Sequence, residues 1–264
     1  MISILSIAGF IGLTIALALW MCMRASSSSI IFDRQPDLPR PFGCNMAWLA
    51  VKTENPTALA KTLRLDDRGY ANWDSGLGTV YDSDLGESRV FVSPPVNGWV
   101  FVIGLPLPHP VGKSFVDKLT PLLLRLSGNY SEIHYYFTYP LIDFFSWVRV
   151  VDGRLSRAFA VTDEGIVWNK GRITKEERAL GLKLFDLRGV NGRKGDAGGE
   201  IILYPTEEHV LRIARGWSVD PSVIEHYDAT TALGIVGTSP REWRAERKRV
   251  NQARSRRRSK RSAA

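Results

Sequence analysis

Two turn dipeptides, Asn97-Gly98 and Asp152-Gly153, constrain the fold of this chain more than any other feature. Each separates two apolar runs: "RVFVSPPV" from "WVFVIG", and "SWVRVV" from "RLSRAFAV". Asn, Asp and Gly accept positive φ at low cost, as a two-residue type I′ turn requires, so each stretch predicts a β-hairpin. Val90 to Gly104 carries no charge and could pass for a membrane crossing. Pro94-Pro95 and Asn97-Gly98 concentrate breakers at its centre, however, and valine and aromatic flanks favour strands. In the second hairpin Val148, Val150, Leu155 and Phe159 are available for a buried face.

Further strands are predicted at "MAWLAVKT", "GTVYDS", "IHYYFTYP" and "GEIILYP", and at "DEGIVWNKG" behind the turn Asp163-Glu164-Gly165. Helices alternate with them. "NPTALAKTLRL" has Asn55 as N-cap and Pro56 at the first helical position, with Leu59, Ala60 and Leu63 on one face. A helix from Ser114 to Leu126 is limited or kinked by Pro121. "TKEERALGLKLF" opens with a capping box, Thr174 and Glu177, "TEEHVLRIARGW" has acids first and arginines last, and "DPSVIEHY" repeats the cap-then-proline start. The links between strands read as hairpins, and no fixed repeat period occurs. The expected class is α+β: an N-terminal transmembrane helix followed by a mixed, largely antiparallel sheet of hairpins with several packed helices.

Residues 2–23 contain no charge over 22 positions, about 33 Å of helix against a bilayer core of roughly 30 Å. Trp20 and Arg24 flank the run as an interfacial anchor and a basic stop would. A cleaved signal peptide would want a basic start and a shorter apolar run, whereas no Lys or Arg precedes this long one, and "ALWMC" lacks the small residues that should precede a lipoprotein cysteine. Arg24, Arg34 and Arg40 follow the run and no basic residue precedes it, so the expected location is the inner membrane, single-pass, with the bulk of the chain cytoplasmic. The expected organisation is an anchor at 1–24, a Ser/Pro-rich spacer at 25–43, a globular domain at 44–238 and a basic helix and tail at 239–264.

No catalytic signature is complete. "VGKS" at Val111–Ser114 lacks the upstream glycine of a phosphate loop, and the prolines of "LPLPHP" remove amide donors such a loop needs. His109, His134, His209 and His226 show no metal spacing with Cys, His or carboxylates, and the two cysteines, Cys22 and Cys44, suit neither an internal disulfide nor a thiolate cluster. Asp152, Asp163 and Glu164 stand in turn signatures, "EHYD" at 225–228 reads as a solvated helix end, and "DLRGVNGRKGDAGGE" at 186–200 reads as a surface loop. No catalytic, metal or cofactor set is assigned, and the expectation leans away from an enzyme.

"YYFTYPLIDFFSW" packs seven aromatics into thirteen residues. Most of these should be core, while an exposed subset drawn from Tyr135, Tyr136, Tyr139, Phe144 and Phe145 would suit a protein interface. The charge lies elsewhere. From Arg241 to Arg261 there are eleven Lys/Arg and two Glu, a net of +9, which leaves residues 1–240 at −1 of the chain's +8. Ser239 and Pro240 start a helix with Glu242 as the capping-box acid, and Trp243 is placed to tuck against the body. Arg244, Arg247, Lys248, Arg249, Arg254, Arg256, Arg257, Arg258, Lys260 and Arg261 then form a tail suited to anionic lipid or, less well, to nucleic acid. The functional expectation is a membrane-anchored cytosolic protein-binding module, of a scaffold or toxin-neutralising kind, with that tail on lipid. The alternatives are an enzyme with a dispersed site and a tethered nucleic-acid binder.

Overall fold

The computed structural model describes residues 32–110, 117–163, 165–181 and 205–243. They build one nine-stranded sheet covered by helices on both faces. The strands are β1 (Ala47–Lys52), β2 (Asp66–Ala71), β3 (Arg89–Val92), β4 (Trp99–Ile103), β5 (Glu132–Tyr139), β6 (Phe144–Val151), β7 (Arg154–Thr162), β8 (Gly165–Gly171) and β9 (Gly234–Thr238). Their order across the sheet is β2-β9-β3-β4-β1-β5-β6-β7-β8, and each neighbouring pair is antiparallel. The helices are α1 (Pro56–Thr62), α2 (Trp73–Tyr81), α3 (Leu119–Leu126), α4 (Lys175–Ala179) and α5 (Glu207–Trp217), with a 3-10 segment at Pro221–His226.

Both turn dipeptides behave as their chemistry dictates. Asn97 and Gly98 sit at φ 50° and 77°, Asp152 and Gly153 at 46° and 75°. Strand alternation divides the core in two. Leu49, Val92, Val102, Tyr135 and Val148 face one side, where α1, α3 and Trp243 cover them. Trp48, Phe91, Phe101, Tyr136 and Trp147 face the other, under Phe42, α2 and α5. Because helices cover both faces, the central strands are apolar throughout: every residue of β4 is buried. In the second hairpin Val148 and Val150 lie on the first face and Phe159 on the second, opposite Trp147, so the four residues expected on one buried face are split.

The expected class is corrected in two respects. The sheet is antiparallel throughout rather than mixed, and among the described residues no helix is long and apolar enough to cross a membrane, so a transmembrane helix is not part of the described fold. Residues 2–23, where that helix was expected, lie outside the described residues, as do Val111–Ser114, the stretch 186–200 expected as a loop, all but the last residue of "GEIILYP" expected as a strand, and the tail from 244.

Three elements differ from the sequence reading for identifiable reasons. "GTVYDS", expected as a strand, lies largely within α2. That helix carries two internal glycines but is held by its caps: Asn72 Oδ1 accepts from Ser75 N at 2.9 Å, while the two Asp37 oxygens accept from Trp73 N at 2.7 Å and Asp74 N at 3.0 Å. Trp73, Leu77 and Val80 then fall on one buried stripe. Gly76 is required because the Phe91 ring lies against it; a Cβ there would stand 2.5 Å from the ring. Strands β2 and β9 have the sequences "DDRGYA" and "GIVGT", too polar and too glycine-rich to resemble strands until paired with one another. Finally, part of residues 32–43, expected in the spacer, contacts the domain while most of the stretch stays exposed. Phe42 is in the core, Asp37 caps α2, and Asp37 pairs with Ala232.

Candidate functional site

Every strand but two has neighbours on both sides, and the two sheet edges differ in chemistry. On the β2 edge, Asp66, Asp67 and Arg68 are exposed, the register shifts between Asp66 and Gly69, and Asp67 is at φ 44°. Charges and a bulge guard that edge against further pairing. The β8 edge reads "GIVWNKG". Ile166 and Val167 are half-buried and Trp168 is buried, while Asn169, Lys170 and Gly171 are exposed. No strand among the described residues pairs with its outer side. It contains no proline and one charge, and its register with β7 shifts between Ala160 and Val161.

The position of β8 is fixed from beneath. Arg157 on β7 and Glu177 on α4 are both buried, with Nη2 2.7 Å from Oε1 and Nε 2.8 and 2.9 Å from the two carboxylate oxygens. Arg157 Nη1 reaches Asn169 Oδ1 at 2.7 Å and the Lys170 carbonyl at 2.9 Å, both on β8. Glu177 also accepts from Trp147 Nε1 at 2.9 Å and from Thr174 N at 2.8 Å, the latter being half of the expected capping box. One buried carboxylate thus joins β6, β7 and α4, and its arginine carries the connection to the edge strand. The hydrogen bonds around the pair make its burial tolerable, although Arg157 Nη2 is held by the ion pair alone.

A second polar cluster lies under α5. His134 on β5 is 0% exposed, enclosed by Trp99 at 4.8 Å, Trp217 at 5.6 Å and Tyr136 at 6.1 Å between ring centroids. Its Nε2 lies 2.9 Å from Glu132 Oε1, which also accepts from Arg149 Nε at 3.0 Å and Nη2 at 2.6 Å. Burial holds the imidazole below its ordinary pKa, partly offset by Glu132. The His134 bond and the Arg149 guanidinium lower the Glu132 carboxyl to about 2 against the cost of its own desolvation. His134 Nδ1 has no hydrogen-bond partner. A general base must reach the proton it takes, and this ring is closed off by indoles and a phenol. The cluster orients α5 over the sheet.

The remaining histidines are not brought into hydrogen-bonding reach of one another. His109 stacks on Phe137, His209 pairs with Thr206 at the start of α5, and His226 ends the 3-10 segment on the exposed surface. Among the described residues no group of three or more His, Cys, Asp or Glu could hold a metal ion. Cys44 is exposed, and its thiol pKa is raised by partial burial and by Glu207.

The aromatic interface expected within 135–145 is corrected. Tyr135 and Phe144 pack in the core under one face, Tyr136 and Phe145 under the other, and Tyr139 is half-buried. Strand alternation sends successive rings to opposite faces, and both faces are covered, so no exposed aromatic strip remains there. The tail residues Arg244, Arg247, Lys248, Arg249, Arg254, Arg256, Arg257, Arg258, Lys260 and Arg261 lie outside the described residues. Trp243, just before them, is buried as expected. The β8 edge was not singled out from sequence; its signal was an apolar run bounded by glycines with few gatekeeping charges.

These features define an α+β domain built on one antiparallel sheet. No protein-family model, no curated protein and no solved structure matches the chain.

Proposed function

We propose that the chain is a protein-interaction module that takes its partner by strand addition along β8. The observation supporting this reading is the difference in chemistry between the two edges: both carry a register shift, but β2 exposes Asp66, Asp67 and Arg68, while β8 is glycine-bounded and apolar at its centre. Main-chain hydrogen bonds supply affinity in strand addition, and alternate side chains supply specificity. The test is photo-crosslinking in native extract from a photoreactive residue at Asn169, with Arg68 on the opposite edge as control. A discrete adduct from position 169 that disappears with Val167→Lys, which adds a gatekeeping charge to the strand, supports the reading. Equal labelling from both positions, or none from 169, overturns it.

The charge of 241–261 supports a second contact. A net of +9 over that stretch suits an anionic lipid surface, each basic residue contributing about 1 kcal/mol near a negative leaflet. Co-sedimentation with phosphatidylserine vesicles should fall steeply with salt and vanish when residues 244–264 are deleted. Equal binding to neutral phosphatidylcholine vesicles would refute it.

A further inference from the structure

Resting on the lipid reading of the tail, we infer that the domain itself touches an anionic bilayer through the turn between β5 and β6, with Leu141 seated at the boundary of headgroups and acyl chains. Leu141 is 84% exposed, more than any other large apolar side chain among the described residues. The turn does not need it there. Pro140 opens the 3-10 turn, and half-buried Asp143 closes it at φ 50°, its N–H on the Pro140 carbonyl at 3.1 Å. Those two residues carry the turn chemistry, and a polar side chain would serve at 141. The residues beside it are of the same kind: Pro140 is exposed, while Tyr139 and Ile142 are half-buried, packed on the core with part of each left outside. An apolar tip with a tyrosine at its neck has the make-up of a segment that rests in a membrane interface.

A single exposed leucine is ordinary; what selects lipid as its occupant is where the basic tail begins. The registers Tyr139↔Phe144, Ala47↔Phe137, Trp48↔Ile103, Phe91↔Ile103 and Arg89↔Thr238 put the β5–β6 turn at the end of the sheet where β9 runs out. Five residues after Thr238, Trp243 is buried against the same core face as Phe137 and Phe144, which form the neck of the turn. Lys118, at the start of α3 on that face, donates from Nζ to the Glu242 carbonyl at 3.1 Å. The basic stretch therefore leaves the domain from a fixed root at the end of the sheet that carries Leu141. A surface that attracts a net of +9 is anionic, and a bilayer offers anionic headgroups and an apolar layer together. With the tail held, the turn meets that surface at high effective concentration, so one leucine adds to a contact it could not make alone. The neighbouring β7–β8 turn exposes Asp163, whose charge keeps it in water and confines insertion to the one turn.

The test uses the full chain carrying Cys22→Ser and Cys44→Ser, with a polarity-sensitive dye on Leu141→Cys, or on Leu124→Cys as control; Leu124 is 43% exposed on α3. Vesicles contain phosphatidylserine with phosphatidylcholine, or phosphatidylcholine alone. Expected are a blue shift at 141 with the anionic vesicles only, quenching of that signal by lipid brominated on its acyl chains, and a water-like signal at 124. In the unlabelled chain, Leu141→Ser should weaken binding to anionic vesicles about tenfold with the salt dependence unchanged, while Leu124→Ser leaves it as it was. A dye at 141 that stays in water on vesicles the tail binds overturns the inference and leaves the tail reading standing. A dye at 141 already shielded before vesicles are added also overturns it, since a protein segment or a second copy then covers the turn. If deleting residues 244–264 leaves vesicle binding unchanged, the tail reading falls and the inference falls with it.

Discussion

Arg157 and Glu177 meet in a buried ion pair, Nη2 to Oε1 at 2.7 Å, across the junction of β7 and α4. Removing one partner strands the other charge in the core, so Glu177→Ala should cost about 3–5 kcal/mol. The double variant Arg157→Met/Glu177→Leu should cost clearly less than the sum of its singles. Urea unfolding of the four proteins measures this; additive losses would show that the two side chains act independently.

Gly76 and Gly78 stand two residues apart on α2 and should respond in opposite senses. A Cβ at Gly76 would stand 2.5 Å from the Phe91 ring, whereas nothing lies within 4 Å of one at Gly78. Gly76→Ala should destabilise by about 1–3 kcal/mol through overpacking. Gly78→Ala, on the exposed face, should stabilise by about 0.5–1 kcal/mol through helix propensity. Thermal melts of both variants decide the matter, and matching signs would contradict the assignment of Gly76 to a close approach.

Asp37 caps α2 from about 36 residues upstream in sequence, with Trp73 N and Asp74 N as its donors. Asp37→Ala should lose roughly 0.5–2 kcal/mol, as N-cap deletions do. Asp37→Asn should retain part of it. Hydrogen exchange at Trp73 and Asp74 should accelerate in the alanine variant before the rest of the domain is affected.

The Glu132–His134 pair makes stability fall with acid in two separable windows. His134 has its pKa lowered in the fold from 6.5, so the unfolded chain binds that proton more readily and stability drops as pH falls below about 6.5. Lys52 and Arg149 facing the ring act in the same sense; Glu132 opposes them. Glu132 is lowered from 4.5 to about 2, so its contribution, full above 4.5, is lost between 4.5 and 2. His134→Gln should flatten the upper window in a melting-temperature profile while a lower one remains. An unchanged slope between pH 6.5 and 5 would show that His134 is not the titrating group.

Local chemistry made the hairpins legible: Asn97-Gly98 and Asp152-Gly153 announce positive φ, and the caps at Asn55 and Thr174 sit where side-chain chemistry puts them. What escaped depends on partners distant in sequence. The α2 helix needs Asp37 and Phe91, neither of which is visible in "WDSGLGTVY". β9 becomes a strand only between β2 and β3. Of the aromatic run 135–145, residue type predicted burial for most rings, but whether any stayed exposed depended on helices covering both faces. Which described strand stands last depends on the order of the whole sheet, so the place of β8 could not be recognised before that order was known.

The strand order also bears on how the domain is made. Among the described residues β2 has β9 as its only neighbour in the sheet, and Thr238 bonds to Asp67 across 171 positions of chain. A ribosome adding about 5–20 residues per second needs on the order of ten to thirty seconds to deliver the one after the other. Throughout that interval the nascent amino-terminal part exposes the outer sides of both β2 and β3. A chaperone binding extended apolar chain would find its target there, and the growing polypeptide should depend on such help until the last strand emerges.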